Sequence, residues 1–196
     1  SQFAKHNGMD MLIEVLTNSS IKVQCAAAKV ITGLFQTHDD RHGLCRHLRQ
    51  RHGMTLLTEL IRSESKQAER DATQAIAMAV RADENCAVSL NRVGATSAFL
   101  RVLQDSVDVN KVMHNMIPDD QGLLLSKEFR RVAKRRLISE ATTEEYLEFL
   151  DPENDGFVTL EDWFEGQQNA VQALTLMVQS RLGAEDTASD LLRLEG

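Results

Sequence analysis

The sequence predicts an all-α protein, and three observations carry that prediction. Apolar residues recur at helical spacing along most of the chain, only two prolines interrupt its 196 residues, and similar glycine-led phrases return at intervals of 45 and 41 residues. Positions i, i+3 and i+4 share one face of a helix, whereas a strand repeats every second residue. Phrases that return at such intervals mark stacked helical units. Hydrophobic residues make up 42% of the chain, enough for a core. No apolar run approaches the roughly 18 residues that span a bilayer. The start, SQFAKHNGMD, has no apolar signal core. Three scattered cysteines (Cys25, Cys45, Cys86) are too few for a disulfide scaffold and point to reduced thiols in the cytoplasm.

Residues 1–104 carry the repeats. Gly8, Gly53 and Gly94 open GMDMLIEVL, GMTLLTELI and GATSAFLRVL. Within them Leu12, Ile13, Leu16 and Leu56, Leu57, Leu60 form apolar stripes, and Asn18-Ser19-Ser20 and Ser63-Glu64-Ser65 are turns between helices. A second match keeps the 45-residue offset. Ala27, Ala28, Val30, Ile31 and Leu34 correspond to Ala72, Thr73, Ala75, Ile76 and Ala79, small residues that let helices stack closely around the two isoleucines.

This half resembles the armadillo family over about residues 3–104. The resemblance implies a short α-solenoid in which a glycine opens each repeat's second helix and an Ala-rich third helix lines a concave groove. Gly33 and Met78 stand where groove-lining repeats commonly carry Asn, so the resemblance does not extend to extended-peptide binding. Fewer than the roughly three repeats that bury a continuous core are present, so each end needs a cover. FAKHNG reads like the tail of a preceding repeat. The expectation is an excerpt of a longer chain, or one that oligomerises through its N-terminal end, with Leu12, Ile13 and Leu16 partly uncovered.

The balance of charge changes at residue 105. Residues 1–104 hold 13 Lys+Arg against 10 Asp+Glu; residues 105–196 hold 9 against 19. Such asymmetry marks two modules with different partners. In the acidic half, DPENDGFVTLED (151–162) crowds five carboxylates around one glycine. That costs stability unless a cation screens it. Hard cations take six or more oxygens, which alternate loop residues supply, and the glycine permits the sharp turn. The calcium-loop pattern D-x-[DN]-x-[DN]-G-x5-E is met at Asp151, Asp155 and Gly156 and departed from at Glu153 and Asp162. The flanks are helical: TTEEYLEFL, with a capping box from Thr142 to Glu145, and WFEGQQNAVQALTLMV, with Phe164, Gln167, Val171, Leu174 and Val178 on one face.

A second loop, IPDDQGLLLSKE (117–128), aligns at a constant offset of 34, pairing Pro118 with Pro152, Gly122 with Gly156 and Leu124 with Val158. Ahead of it, Val109, Val112, Met113, Met116 and Ile117 form an apolar stripe. Residues 106–180 thus resemble an EF-hand pair of the calmodulin superfamily. The resemblance implies Ca2+, with Mg2+ competing, held by Asp151, Glu153, Asp155, the Phe157 carbonyl, Thr159 through water, and Asp162. Asp162 is one methylene shorter than the usual Glu, which narrows the preference for calcium. Ile117 and Gln121 stand where the other loop needs acids, leaving Asp119 and Glu128. That loop is expected to be structural, with Leu124 pairing across to Val158. The predicted organisation is 1–104 repeats, 105–182 EF-hand pair and 183–196 C-terminal helix.

Two further constellations have bland readings beside sharper ones. In HDDRHGLCRHLRQRH (38–52), His38, His42 and Cys45 would share a helical face able to hold zinc. Asp39-Asp40 reads instead as a turn with a helix start, and Arg41, Arg46, Arg49 and Arg51 as a hydrated basic face without aromatics for nucleic-acid stacking. In FRRVAKRRL (129–137), Arg130, Arg131, Lys134 and Arg135 oppose Phe129, Val132, Ala133 and Leu137; the bases are expected to neutralise the acidic loop nearby. No phosphate-binding glycine loop, HExxH or nucleophile–base pair points to an enzyme. Protein–protein interaction within a larger assembly or longer chain is the expected function, with neither nucleic acid nor a membrane span involved. A constitutive structural subunit with a metal-free loop is the alternative.

Overall fold

The computed structural model describes residues 8–63, 65–117, 124–151, 154–158, 161–179 and 184–194, except for the side chains of 105–108, 161–166, 184–186 and 194. Among these the protein is all-α. The helices are α1 (Gly8–Asn18), α2 (Ile21–Thr37), α3 (Arg41–Gln50), α4 (Gly53–Arg62), α5 (Lys66–Ala82), α6 (Asn85–Arg92), α7 (Ala95–His114), α8 (Ser126–Arg135), α9 (Glu140–Leu150), α10 (Glu161–Gln179) and α11 (Ala184–Leu194).

Short polar residues set the boundaries. Asp40 accepts from the Gly43 N–H at 2.8 Å and starts α3, so His38 lies outside that helix and the His38–His42–Cys45 face does not form. Ser65 caps α5 through the Ala68 N–H. Ser139 caps α9 through the Thr142 N–H at 3.1 Å, which starts that helix three residues before the predicted Thr142 box. Each such bond removes one orphan donor and stabilises by about 1 kcal/mol. Between α3 and α4 the chain turns through His52 at φ 60°. A Cβ on Gly53 would lie 2.6 Å from Leu48 Cδ2, so any larger residue here would push the buried Leu48 aside.

Two hydrophobic cores result. The first gathers α1 to α6 and the start of α7 around Ile31, Phe35, Leu48, Leu57, Ile76 and Phe99. The Ala-rich stripes lie in it, with Ala27 and Ala28 on α2 and Ala72, Ala75 and Ala79 on α5 all buried. Val30 is nevertheless 48% exposed. Leu12 is partly exposed as expected, whereas Ile13 and Leu16 are buried; among the described residues the exposed large apolar side chains at this end are Met11, Ile21, Val23 and Val30. The second core gathers Val109, Val112 and Met116, Phe129 and Val132, Tyr146, Leu147 and Leu150, and Val158. Ile117 falls off the predicted stripe at 70% exposure. Leu137 lies beyond the end of α8 at φ 60° and is exposed, not packed beside Phe129.

The two cores share their helices. α7 runs unbroken through residues 104 and 105, with Ala98, Phe99 and Val102 in the first core and Val109 and Val112 in the second. α10 follows the 151–162 loop in sequence, yet its later turns pack against α5 and α7 and place Ala170, Ala173, Leu174 and Met177 in the first core. The predicted face of α10 is therefore rotated: Val171 is 51% and Val178 40% exposed. Its buried positions include two alanines, and small residues let two backbones approach more closely than valines would. α9 is seated on α5 by two cation–π contacts, Lys66 Nζ 5.4 Å from the Tyr146 ring and the Arg70 guanidinium 5.6 Å from Phe149. Lys66 and Glu69 are buried as a pair at 3.0 Å, and Arg101 reaches both Glu69 (3.3 Å) and the Ile61 carbonyl (2.7 Å). Burial of charge needs such pairing, because each unpaired ion would cost several kcal/mol.

Candidate metal centre

The segments 124–126 and 156–158 meet as one antiparallel bridge, Leu125 opposite Phe157. The Val158 N–H donates to the Leu124 carbonyl and the Ser126 N–H to the Gly156 carbonyl, both at 2.9 Å. In this register Leu124 faces Val158, the pairing that the 34-residue offset implies. Leu125 and Phe157 form the non-hydrogen-bonded pair, so their own N–H and C=O groups point away from each other. The Phe157 carbonyl thereby points away from Leu125.

Asp151 organises the turn. Its Oδ1 accepts the Asp155 N–H at 2.9 Å and its Oδ2 the Gly156 N–H at 3.1 Å. Asn154 (φ 53°) and Gly156 (φ 89°) take the left-handed conformations that bend the chain back around this carboxylate. Asp155 Oδ1 in turn accepts the Phe157 N–H at 3.0 Å. Burial pushes the Asp151 carboxyl up, but hydrogen bonds from Ser126, Asp155 and Gly156 outweigh it and hold it below the ordinary carboxylate range. The residue stays charged at neutral pH.

Ser126 was missed by sequence reasoning. It starts α8, on the opposite loop, and its hydroxyl donates to Asp151 Oδ2 at 2.6 Å with only 3% of the residue exposed. Oδ2 then has both lone pairs occupied, whereas Oδ1 keeps one for a cation. A serine one register step from the bridge was the available signal, since the bridge brings 126 beside 156.

Of the six expected ligands, the structure brings Asp151, Asp155 and Phe157 together. Glu153 and Thr159 lie outside the described residues, as does the side chain of Asp162. In the opposite loop Asp119 and Gln121 lie outside the described residues, and Glu128 is already engaged. Both its oxygens accept from Arg131, which holds its carboxyl below the ordinary range with help from the Ile117 N–H. Among the described residues the loop offers a charged first residue and a glycine at the bend, oxygen chemistry suited to a hard cation.

The basic face of α8 neutralises its acidic neighbours. Arg130 pairs in a fork with Glu144 of α9 at 2.7 and 2.8 Å, and the charge of Asp151 reaches it as well. In the 38–52 segment, Arg49 pairs with Asp83 and Arg51 with Asp10, each at 3.0 Å, so part of that patch is internal pairing and not a hydrated face.

No helix among the described residues is long and apolar enough to cross a membrane. No protein-family model matches the chain, and no curated protein matches it. One solved structure, described as an engineered protein, is similar with a TM-score of 0.48 and 16% identity, covering 93% of this chain and 68% of its own.

Proposed function

We propose that this chain is a protein–protein interaction module: a short armadillo-like solenoid carrying an EF-hand pair in which only the 151–162 loop takes an ion, Ca2+ with Mg2+ competing. The observation that carries this reading is α10. It begins within the loop and ends in the first core, with Ala170, Ala173, Leu174 and Met177 against α5 and α7. An ion drawn to Asp151, Asp155 and the neighbouring oxygens acts on the first residues of a helix whose other end is part of the solenoid. Occupancy therefore bears on the surface a partner would meet.

Calorimetry with Ca2+ and Mg2+ on the purified chain tests it. One ion binds per chain, no tighter than about 10⁻⁵ M, because Asp162 is short and the opposite loop lacks ligands. Asp151→Ala abolishes that binding, and Asp119→Ala leaves it unchanged. A stoichiometry of two would overturn the one-loop assignment.

A second reading has its own observation. Ser126, Asp155 and Gly156 already satisfy the Asp151 carboxylate, and Arg131 satisfies Glu128. A loop so well served without a cation also suits a constitutive structural subunit. Silence at millimolar Ca2+, in the wild type and in Asp162→Glu alike, would favour that reading.

A further inference from the structure

Away from the loop, two cysteines that are 41 residues apart in sequence meet in the first core. Cys45 on α3 and Cys86 on α6 are both fully buried, and the carboxylate of Asp83, between α5 and α6, is 9% exposed. Their donor atoms all lie within 4.8 Å of one another. The sequence carries the same arrangement twice, as His42-x-x-Cys45 and Asp83-x-x-Cys86, and the 41-residue offset is that of Gly53 and Gly94. His42 and Cys45 are three residues apart on α3 and share a face, and Asp83 lies in the turn that leads into α6, so each phrase is half of a ligand set.

From this convergence we propose that Cys45, Cys86 and Asp83 form a binding site for a thiophilic divalent ion, zinc foremost, with His42 on the exposed side as the fourth ligand. Spacing and charge both suit it. A tetrahedral ion with Zn–S bonds of about 2.3 Å holds two sulfurs roughly 3.8 Å apart, so the ligands need to draw in by about 1 Å at most, within reach of side-chain rotation. Two thiolates, one carboxylate and a dication sum to one negative charge, and Arg49, 3.0 Å from Asp83, balances it. Asp83 is anionic already: burial pushes its carboxyl up, but Asn85, Arg49 and His42 together hold it below the ordinary range.

The thiols set the cost. The neighbouring Cys45 and burial both push the Cys86 thiol up, and the Cys45 thiol donates to the Ala79 carbonyl at 3.4 Å. Cys86 is no nucleophile in this state. Metal binding displaces both protons to solvent as two metal–sulfur bonds form, with no change of oxidation state, so affinity rises with pH. Soft sulfur ligands favour zinc over the hard cations suited to the 151–162 loop, and the two sites are chemically separate. Once filled, the site ties α3 and α6 across the end of α5.

Cobalt(II) titration of the reduced, chelator-treated full chain is the test, run with Ca2+ in excess so that the acidic loop does not compete. One cobalt per chain is expected, with the near-ultraviolet charge-transfer absorption of two thiolates and the visible bands of a tetrahedral ion, displaced on adding Zn2+. Cys45→Ala and Cys86→Ala lose the absorption; Cys25→Ala, whose cysteine lies elsewhere, keeps it. Asp83→Asn weakens cobalt binding by about tenfold or more. Zn2+ raises the melting temperature of the wild type and not of Cys86→Ala. A folded wild-type chain without thiolate absorption in excess cobalt, or absorption that survives in Cys86→Ala, would overturn the proposal. Neither result depends on the calcium reading.

Discussion

Removing the Ser126 hydroxyl should destabilise the protein by about 2 kcal/mol, an estimate that rests on three facts of the structure. The bond is short, 2.6 Å from Oγ to Asp151 Oδ2, as charge-assisted O–H···O⁻ bonds are. Both ends are buried, Ser126 at 3% and Asp151 at 8% exposure, so water cannot readily take the place of the hydroxyl. Bonds to charged groups of this kind are worth about 1.5–3 kcal/mol. Ser126→Ala leaves Gly156 and Asp155 still donating to the carboxylate, which favours the middle of that range over its top. The assay is urea denaturation without divalent ions, followed by fluorescence of Trp163, the chain's one tryptophan. A double-mutant cycle with Asp151→Asn should return a coupling of about 1.5 kcal/mol or more, since the two groups touch. Ca2+ affinity should be unchanged on the proposed reading, in which the ion would take Oδ1 while the serine uses Oδ2. A loss below about 0.5 kcal/mol, or a coupling near zero, would show that the two loops are not joined through this bond.

Met177→Ala should cost about 2–5 kcal/mol, because Met177 is fully buried where α10 enters the first core, while Val178→Ala at 40% exposure should stay within about 0.5 kcal/mol; chemical denaturation of the two variants checks it. Acid should destabilise the protein through Asp151 and Asp83, whose folded carboxyls are held below the ordinary value. Their contribution is complete above the unfolded pKa of about 3.9 and is lost as pH falls through the lower folded values, since the unfolded chain takes up protons first. Urea midpoints should therefore drop below about pH 4, and more shallowly in Asp151→Asn. Asp162→Glu should tighten Ca2+ binding several-fold by restoring a carboxylate long enough to bind through both oxygens, as measured by calorimetry.

Local chemistry made much of the fold legible, and distance in sequence hid the rest. Asp40, Ser65 and the glycines at 53 and 94 act on their own neighbours, so their helix starts could be read from a few residues. The Leu124–Val158 register was legible because two loops of equal length, offset by 34 residues, fix which positions oppose. The face of α10 was not. Val171 and Val178 satisfy a helical stripe as well as Ala170, Ala173 and Met177 do, and hydrophobicity alone favours the valines. What decides is the packing partner: α10 lies against α5 and α7, helices far from it in sequence. The buried pairing of Lys66 with Glu69 is hidden for a similar reason, since Arg101 and Tyr146, which make it tolerable, lie more than 30 residues away in sequence.

The acidic loop and the first core are joined by continuous structure. A chain divided at 104/105 would place its boundary in a linker, where few contacts cross. Here the division falls inside α7, a 20-residue helix with buried residues in both cores. α10 makes a second crossing, starting in the acidic loop and ending against α5. α9 adds a third connection, through Lys66 on Tyr146 and Arg70 on Phe149. Two continuous helices and a pair of cation–π contacts leave little freedom for one core to turn against the other. A displacement at the start of α10 would meet a close-packed core at its far end, where Ala170 and Met177 are buried, and such cores yield in discrete steps.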